Sequence, residues 1–304
     1  MALTLLQIVD RACGEMGLAQ PTSVIGASAN QTNQLLALAQ RLGLDLARDF
    51  EWQRLVKVYT FQTAAAVSLT GTTTNASAVV TGLSSTAALA AGRVVSGTGI
   101  PSYSEILTVD SGTQVTLTMP ATASGSVTLS FARQDYAPPA DFDRMVADSN
   151  WDRTDHWRNL GSRSSQDWQW LQGGVLSTGP RERYRIYNGN LRFFPALATV
   201  YNMAYEYVSS YWVVASGGSA GTKALFTLDT DTCVFPDDLM LAGLKFYFLK
   251  AKKLDFGIEM AEYASILSTR KAQDVPAPTQ SLAPERLPEF IGPWSIQDGN
   301  WPTS

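Results

Sequence analysis

A chain of 304 residues with a formal charge of −4 can bury a full core, and its mildly acidic balance argues against a nucleic-acid clamp, which needs a basic footprint. Charged residues make up 16% and aromatics 10%, with eight Trp, so either a large core or extensive burial against other subunits is expected. No run approaches the length of an apolar membrane span, and the first eleven residues lack a basic n-region, so neither a transmembrane helix nor a signal peptide is expected.

The predicted elements begin with an amphipathic helix over about 4–17, striped by Leu5, Ile8, Val9, Ala12, Cys13 and Met16 and ended by Gly17. A loop with Pro21 and Gly26 follows. The clearest long helix spans about 28–53. Ser28 and Gln31 have the spacing of a capping box, and Leu35, Leu38, Ala39, Leu42, Leu46 and Phe50 share one face. A second apolar line, Leu36, Leu44 and Ala47, widens that face and is a candidate contact with a neighbouring subunit. Residues 55–63 alternate and read as a strand. Between Thr63 and Phe131 the charged residues are Arg93, Glu105 and Asp110. Short strands at Ala78–Thr81, Arg93–Ser96, Glu105–Val109, Gln114–Leu117 and Val127–Phe131 predict an inserted small β-barrel or sandwich over 63–131.

Residues 142–174 interleave Trp, Arg and Asp, which suits a platform of arginines stacked on tryptophans, with short helical turns. Strands Tyr184–Tyr187 and Leu191–Phe194 flank Asn188-Gly189, a type I′ turn signature, and β structure continues to about 213. Pro236, Asp237 and Asp238 start a helix over about 236–252 that should be the most buried, with Lys250, Lys252 and Lys253 at its negative end. A fourth helix, about 256–272, puts Ile258, Ala261, Ala264 and Leu267 on one face. Residues 275–304 carry six prolines yet keep Leu282, Leu287, Phe290, Ile291, Trp294 and Trp301, the pattern of an extended arm with spaced apolar anchors.

The fold class expected is therefore α+β. The N- and C-terminal helices would form a four-helix bundle within a body of residues 1–62 and 132–274, with the β insert at 63–131 and the extended arm at 275–304.

Catalytic signatures are not evident. His156 is the single histidine, which removes His-pair metal sites and leaves one candidate for any triad. No P-loop occurs, and Gly97-Thr-Gly99 lies between strands as a turn. Asp148, Asp152 and Asp155 lack calcium-loop spacing, and their Arg neighbours suggest salt bridges. Cys13 and Cys233 are expected unbridged. Neither an enzyme activity, a cofactor nor a metal is expected.

The order of elements resembles the head-to-tail adaptor proteins of tailed phages, the tail tubular protein A class. The residues that carry the resemblance are Leu5-Leu-Gln-Ile-Val-Asp-Arg-Ala12 with Gly17-Leu-Ala-Gln-Pro21, the 34–54 run ending Phe50-Glu-Trp-Gln-Arg-Leu, and Pro139-Ala-Asp-Phe-Asp-Arg144 with Trp151-Asp-Arg153. Tyr184 to Pro195, Tyr205-Glu-Tyr207 and Phe226 to Leu241 complete it. The resemblance implies a virion protein, made in the host cytoplasm, that forms a ring, commonly a dodecamer, at the head–tail interface. It would dock on the portal protein, extend the channel through which genomic DNA passes without sequence-specific binding, and carry tail nozzle and fibre proteins. The arm residues Leu282, Leu287, Phe290, Ile291, Trp294 and Trp301 would then bind the portal or a neighbouring subunit. A carbohydrate-binding or depolymerising tail protein, with glycan held by the β insert and by Trp168 and Trp170, is the alternative of a different class.

Overall fold

Residues 2–161, 164–173 and 183–274 are described by a computed structural model. Among them antiparallel sheet dominates: one sheet has eight strands, another five, and two strands form a small ribbon, beside five helices. The expected four-helix bundle is corrected by this finding. Helices α1 (Leu5–Glu15), α2 (Asn30–Asp49), α4 (Asp237–Lys252) and α5 (Gly257–Asp274) share a unit, and α4 packs against the other three. Their common core is completed by strand and loop residues, among them Val208, Trp212, Val213, Phe226 and Phe235, and α5 fully buries none of its residues. Large aromatic side chains from non-helical chain thus fill space that a bundle would give to helix seams. No described helix is long and apolar enough to cross a membrane.

The chain divides into two units. The first takes residues up to Val58, Ala140–Val146, and Glu206 through α5; the second takes Tyr59–Pro139 and Ala147–Tyr205.

In the first unit α1 begins with a reciprocal cap. Gln7 N–H donates to Thr4 Oγ1 at 3.3 Å and Thr4 N–H donates to Gln7 Oε1 at 3.1 Å. The N–H groups of Leu5 and Leu6, orphaned by the helix start, donate to Asp231 O (2.8 Å) and Asp229 O (3.2 Å). The carboxylates of the same loop take other donors. Asp229 accepts from Val24 N–H, Ile25 N–H and Ser23 Oγ, while Asp231, fully buried, accepts from Lys223 Nζ and from the N–H groups of Thr227 and Leu228. Helix α2 starts at Asn30 from Ala29, without a side-chain cap, so the expected Ser28–Gln31 box does not form. Its Gly43 lies against the fully buried Trp212 ring, and Leu42 lies against Gly243 of α4, so glycine permits close approach on both helices. Helix α4 starts after Pro236 with Asp237 and Asp238 in its first turn and buries seven residues. Helix α5 turns Tyr263, Ile266 and Leu267 to the core, with Tyr263 stacked on Phe246 at 5.7 Å. The expected face therefore rotates: Leu267 packs inward, while Ile258 is 81% exposed and Ala261 and Ala264 face out. One tyrosine and two β- or γ-branched aliphatics bury more area than two alanines.

In the second unit the eight-stranded sheet runs β11 (Arg183–Tyr187), β12 (Asn190–Leu197), β7 (Gly125–Tyr136), β4 (Val94–Ser96), β5 (Ser104–Ser111), β6 (Gln114–Leu117) and β3 (Val79–Val80), with β2 (Val67–Thr73) also pairing β7. Val80, Leu83, Val95, Ile106, Val115, Leu117, Leu129 and Phe131 form the core of the Thr/Ser/Gly-rich region. Strand β7 continues past residue 131 and pairs with β12, so the insert and the 183–197 hairpin share one sheet. Asn188 and Gly189 both adopt positive φ, as a type I′ turn demands. The strands of the five-stranded sheet are divided: β9 (Trp151–Asp152), β10 (Trp157–Arg158), the latter part of β1 (Val56–Gln62) and the first half of β13 (Asn202–Ser209) belong to this unit, whereas β8 (Phe142–Met145), paired with the second half of β13, belongs to the first.

Candidate functional site

In the second unit a side-chain array is built on a small buried cluster of Trp168, Leu171 and Phe194, with Tyr103 packed against it. Ser104 N–H and Oγ both donate to Pro101 O, at 3.3 and 2.8 Å, and close a turn that holds Tyr103 at φ +61°. A left-handed tyrosine is uncommon and needs surroundings that fix it. Its ring stacks on Phe194 of β12 at 5.0 Å, and Phe194 meets the edge of Trp168 at 6.0 Å. Trp168 and Leu171 come from α3 (Ser165–Gln172), which is capped by Ser164 Oγ accepting from Asp167 N–H.

Beyond Trp168 the array becomes cationic. The Arg185 guanidinium lies 4.5 Å from the Trp168 ring and 4.5 Å from Tyr187, and Arg192 lies 4.4 Å from Tyr187. Arg192 forks onto Asp135, Nε to Oδ1 and Nη2 to Oδ2, both 2.7 Å. Hydrogen bonding to Asp135 raises the Arg192 pKa, whereas burial and the neighbouring Arg192 charge lower that of Arg185. Glu105 stands 3.9 Å from Arg192 Nη1 and accepts from Gln134 Nε2 at 2.8 Å. Two guanidiniums thus coexist because carboxylates and ring faces compensate them.

Beside this array is a groove of about 420 Å³, lined by Ile100, Pro101, Tyr103, Ala132, Phe194 and Pro195 among others. Its lining has no charged side chain, and its polar side chains beyond Tyr103 are the serines 96, 102 and 130. Such a surface offers burial of apolar groups and no acid–base pair.

The residues singled out from sequence fall elsewhere. Leu282, Leu287, Phe290, Ile291, Trp294 and Trp301 lie outside the described residues. Leu36 and Leu44 pack, half-buried, against the first unit's own core, and Ala47 belongs to it. That line on α2 therefore has an intramolecular use. Asp152 is 2% exposed and turns back on its own loop, with Oδ1 accepting from Thr154 N–H at 2.7 Å; burial raises its pKa. His156 sits in a turn at φ +59°. Among the described residues no group of three His, Cys, Asp or Glu is arranged to hold a metal. Cys13 and Cys233 are free and buried, and burial pushes the Cys233 thiol up to about 12. Of the two tryptophans considered for glycan, Trp168 is fully buried and Trp170 is 48% exposed.

Sequence reasoning did anticipate arginine stacked on tryptophan, but in the wrong partners. Trp168 stacks with Arg185, which arrives on the hairpin and not from the Trp-rich run. The alternation Arg183-Tyr-Arg-Ile-Tyr187 was the available signal: it places arginines 183 and 185 and Tyr187 on one face. The groove had no such signal, because its lining comes from four separated segments. No protein-family model matches this chain, and no curated protein matches it.

Proposed function

We propose that this chain is a structural adaptor at the head–tail junction of a tailed phage. Copies form a closed ring, a dodecamer, that docks on the portal, extends the DNA channel and carries tail nozzle and fibre proteins. The reading assigns the chain no catalytic step. What carries it is the order of the elements. Helices from both ends of the chain meet in the first unit, where Leu3 N–H donates to Asp237 Oδ1, 234 residues away, and the β-rich middle builds a second unit. That order, with the motifs quoted above, is the basis of the likeness to adaptors. The acidic balance suits a channel wall that lets DNA slide, since phosphate is not attracted to it. Closed rings need heterologous contacts between copies.

The test is electron microscopy of the full chain mixed with its portal protein, paired with sedimentation. Rings seated on the portal are expected. A chain that stays monomeric with and without portal overturns the reading.

A further inference from the structure

The groove and the C-terminal sequence have matching chemistry. The groove is uncharged, and its wall stacks Tyr103 on Phe194 beside Pro101 and Pro195. Phe290-Ile-Gly-Pro-Trp-Ser-Ile296 is likewise uncharged, and proline with aromatic residues is what aromatic-lined grooves take, because an extended prolyl peptide loses little entropy on binding. Charged chain flanks that heptad at Glu285, Arg286, Glu289 and Asp298, so the uncharged window is bounded. The sixteen residues from Asp274 to Phe290 can span about 50 Å at ~3.1–3.3 Å per residue. Prolines 276, 278, 284 and 288 bias this connection toward extension, which favours reaching another molecule.

We propose that the groove of the second unit binds the Phe290–Ile296 segment of a second copy of this chain. The inference rests on the ring reading and deepens it, because an arm seated on the next copy links neighbours around a ring. The apolar anchors contribute burial, and the stacked Tyr103–Phe194 pair fixes where the proline and tryptophan lie.

The experiment uses the full chain with Trp294 replaced by photoreactive p-benzoylphenylalanine, prepared in light and heavy nitrogen forms and mixed before irradiation. Cross-links from position 294 to residues 94–103 or 194–198, found in mixed-isotope pairs, are expected. The exposed groove positions are then charged in two variants, Ser102→Glu and Ala198→Glu, which should cut those links roughly tenfold without shifting the melting curve. Links confined to one isotope, or links elsewhere, overturn the proposal. Rings on the portal with position 294 linked elsewhere sink this inference and leave the adaptor reading standing. Mixed-isotope groove links in assemblies that never dock on portal do the reverse.

Discussion

Gly43 in the middle of α2 offers a sharp test of the first unit's packing. A Cβ at this position would stand 2.2 Å from Trp212 Cη2 and 2.3 Å from Cζ2. Carbon pairs settle at about 3.5–4.0 Å, so the indole must retreat by more than about 1 Å. Its retreat is opposed by Phe226, edge-on at 4.9 Å, and Phe235, at 5.9 Å, in a site where Trp212 is fully buried. Overpacking of a core costs about 1–3 kcal/mol, and a rigid ring wedged this closely belongs at the upper end. Replacing an interior helical glycine by alanine returns about 1 kcal/mol of helix propensity. Gly43→Ala should therefore destabilise the first unit by about 2 kcal/mol, lowering its melting temperature by about 5–10 °C. Urea unfolding followed by far-UV circular dichroism reads the change. Trp212→Phe shortens the wedge, so the double variant should lose at least about 1 kcal/mol less than the two single losses summed. A Gly43→Ala chain as stable as its parent, or strict additivity in the cycle, refutes the packing argument.

Acid should unfold the first unit early. Burial alone would raise the carboxyls of Asp141, Asp229 and Asp231, but donors from Lys57, Ser209 and Tyr207, from Ile25, Ser23 and Val24, and from Lys223, Thr227 and Leu228 hold all three below the ordinary range. Depressed carboxylates contribute stability that is complete above the unfolded value of about 3.9 and is lost as pH falls through the folded one. Melting points measured from pH 6 downward should drop below about pH 4; Asp231→Asn should cost about 3 kcal/mol at neutral pH and flatten the acid limb, and a parallel limb contradicts the assignment. Arg192→Lys keeps the charge but loses the fork onto Asp135, and should cost about 1–2 kcal/mol in the second unit; an unchanged urea midpoint counts against the clamp. Trp168→Ala should cost about 3–5 kcal/mol while Trp170→Ala stays within about 0.5 kcal/mol, as their burial dictates. Leu44→Ser should cost about 1–2 kcal/mol without altering the sedimentation of the full chain; altered assembly with intact stability would return that face of α2 to a subunit contact.

Local chemistry was the legible part of the sequence. The Asn188-Gly189 hairpin, the Pro236-Asp-Asp start of α4 and most short strands of the insert follow from turn residues and alternation over a few positions. Competing local signals were harder to rank. Ser28–Gln31 looked like the cap of α2, yet Thr4–Gln7 forms the real box on α1, from the same spacing. Strand β2 was hidden because Gly71 interrupts its alternation, although that glycine is needed where Val80 and Leu83 press against the backbone, each 2.9 Å from a would-be Cβ. The fold class failed for a reason beyond any window. Four amphipathic helices suggest a bundle until Trp212, Phe226 and Phe235 are placed among them, and nothing local says where those side chains go. The groove was invisible for the same reason, while the Arg185–Trp168 stack was half visible through the residue types alone.

The tie between Leu3 and Asp237, 234 residues apart, has a consequence for synthesis of the chain. Chains emerge from the ribosome at about 5–20 residues per second, so α1 waits about ten to fifty seconds for α4 to exist. During that time the apolar stripes of α1 and α2 have left the ribosome, and Leu239, Leu244 and Phe248, which they pack against, have not been made. The strands of the second unit that precede residue 205 are complete sooner and can pair while the first unit is still missing a wall. Newborn chains should accordingly carry a long-lived sticky surface on α1 and α2, the kind of surface that holding chaperones shield, and arrest of translation before residue 237 should yield aggregates seeded by these two helices.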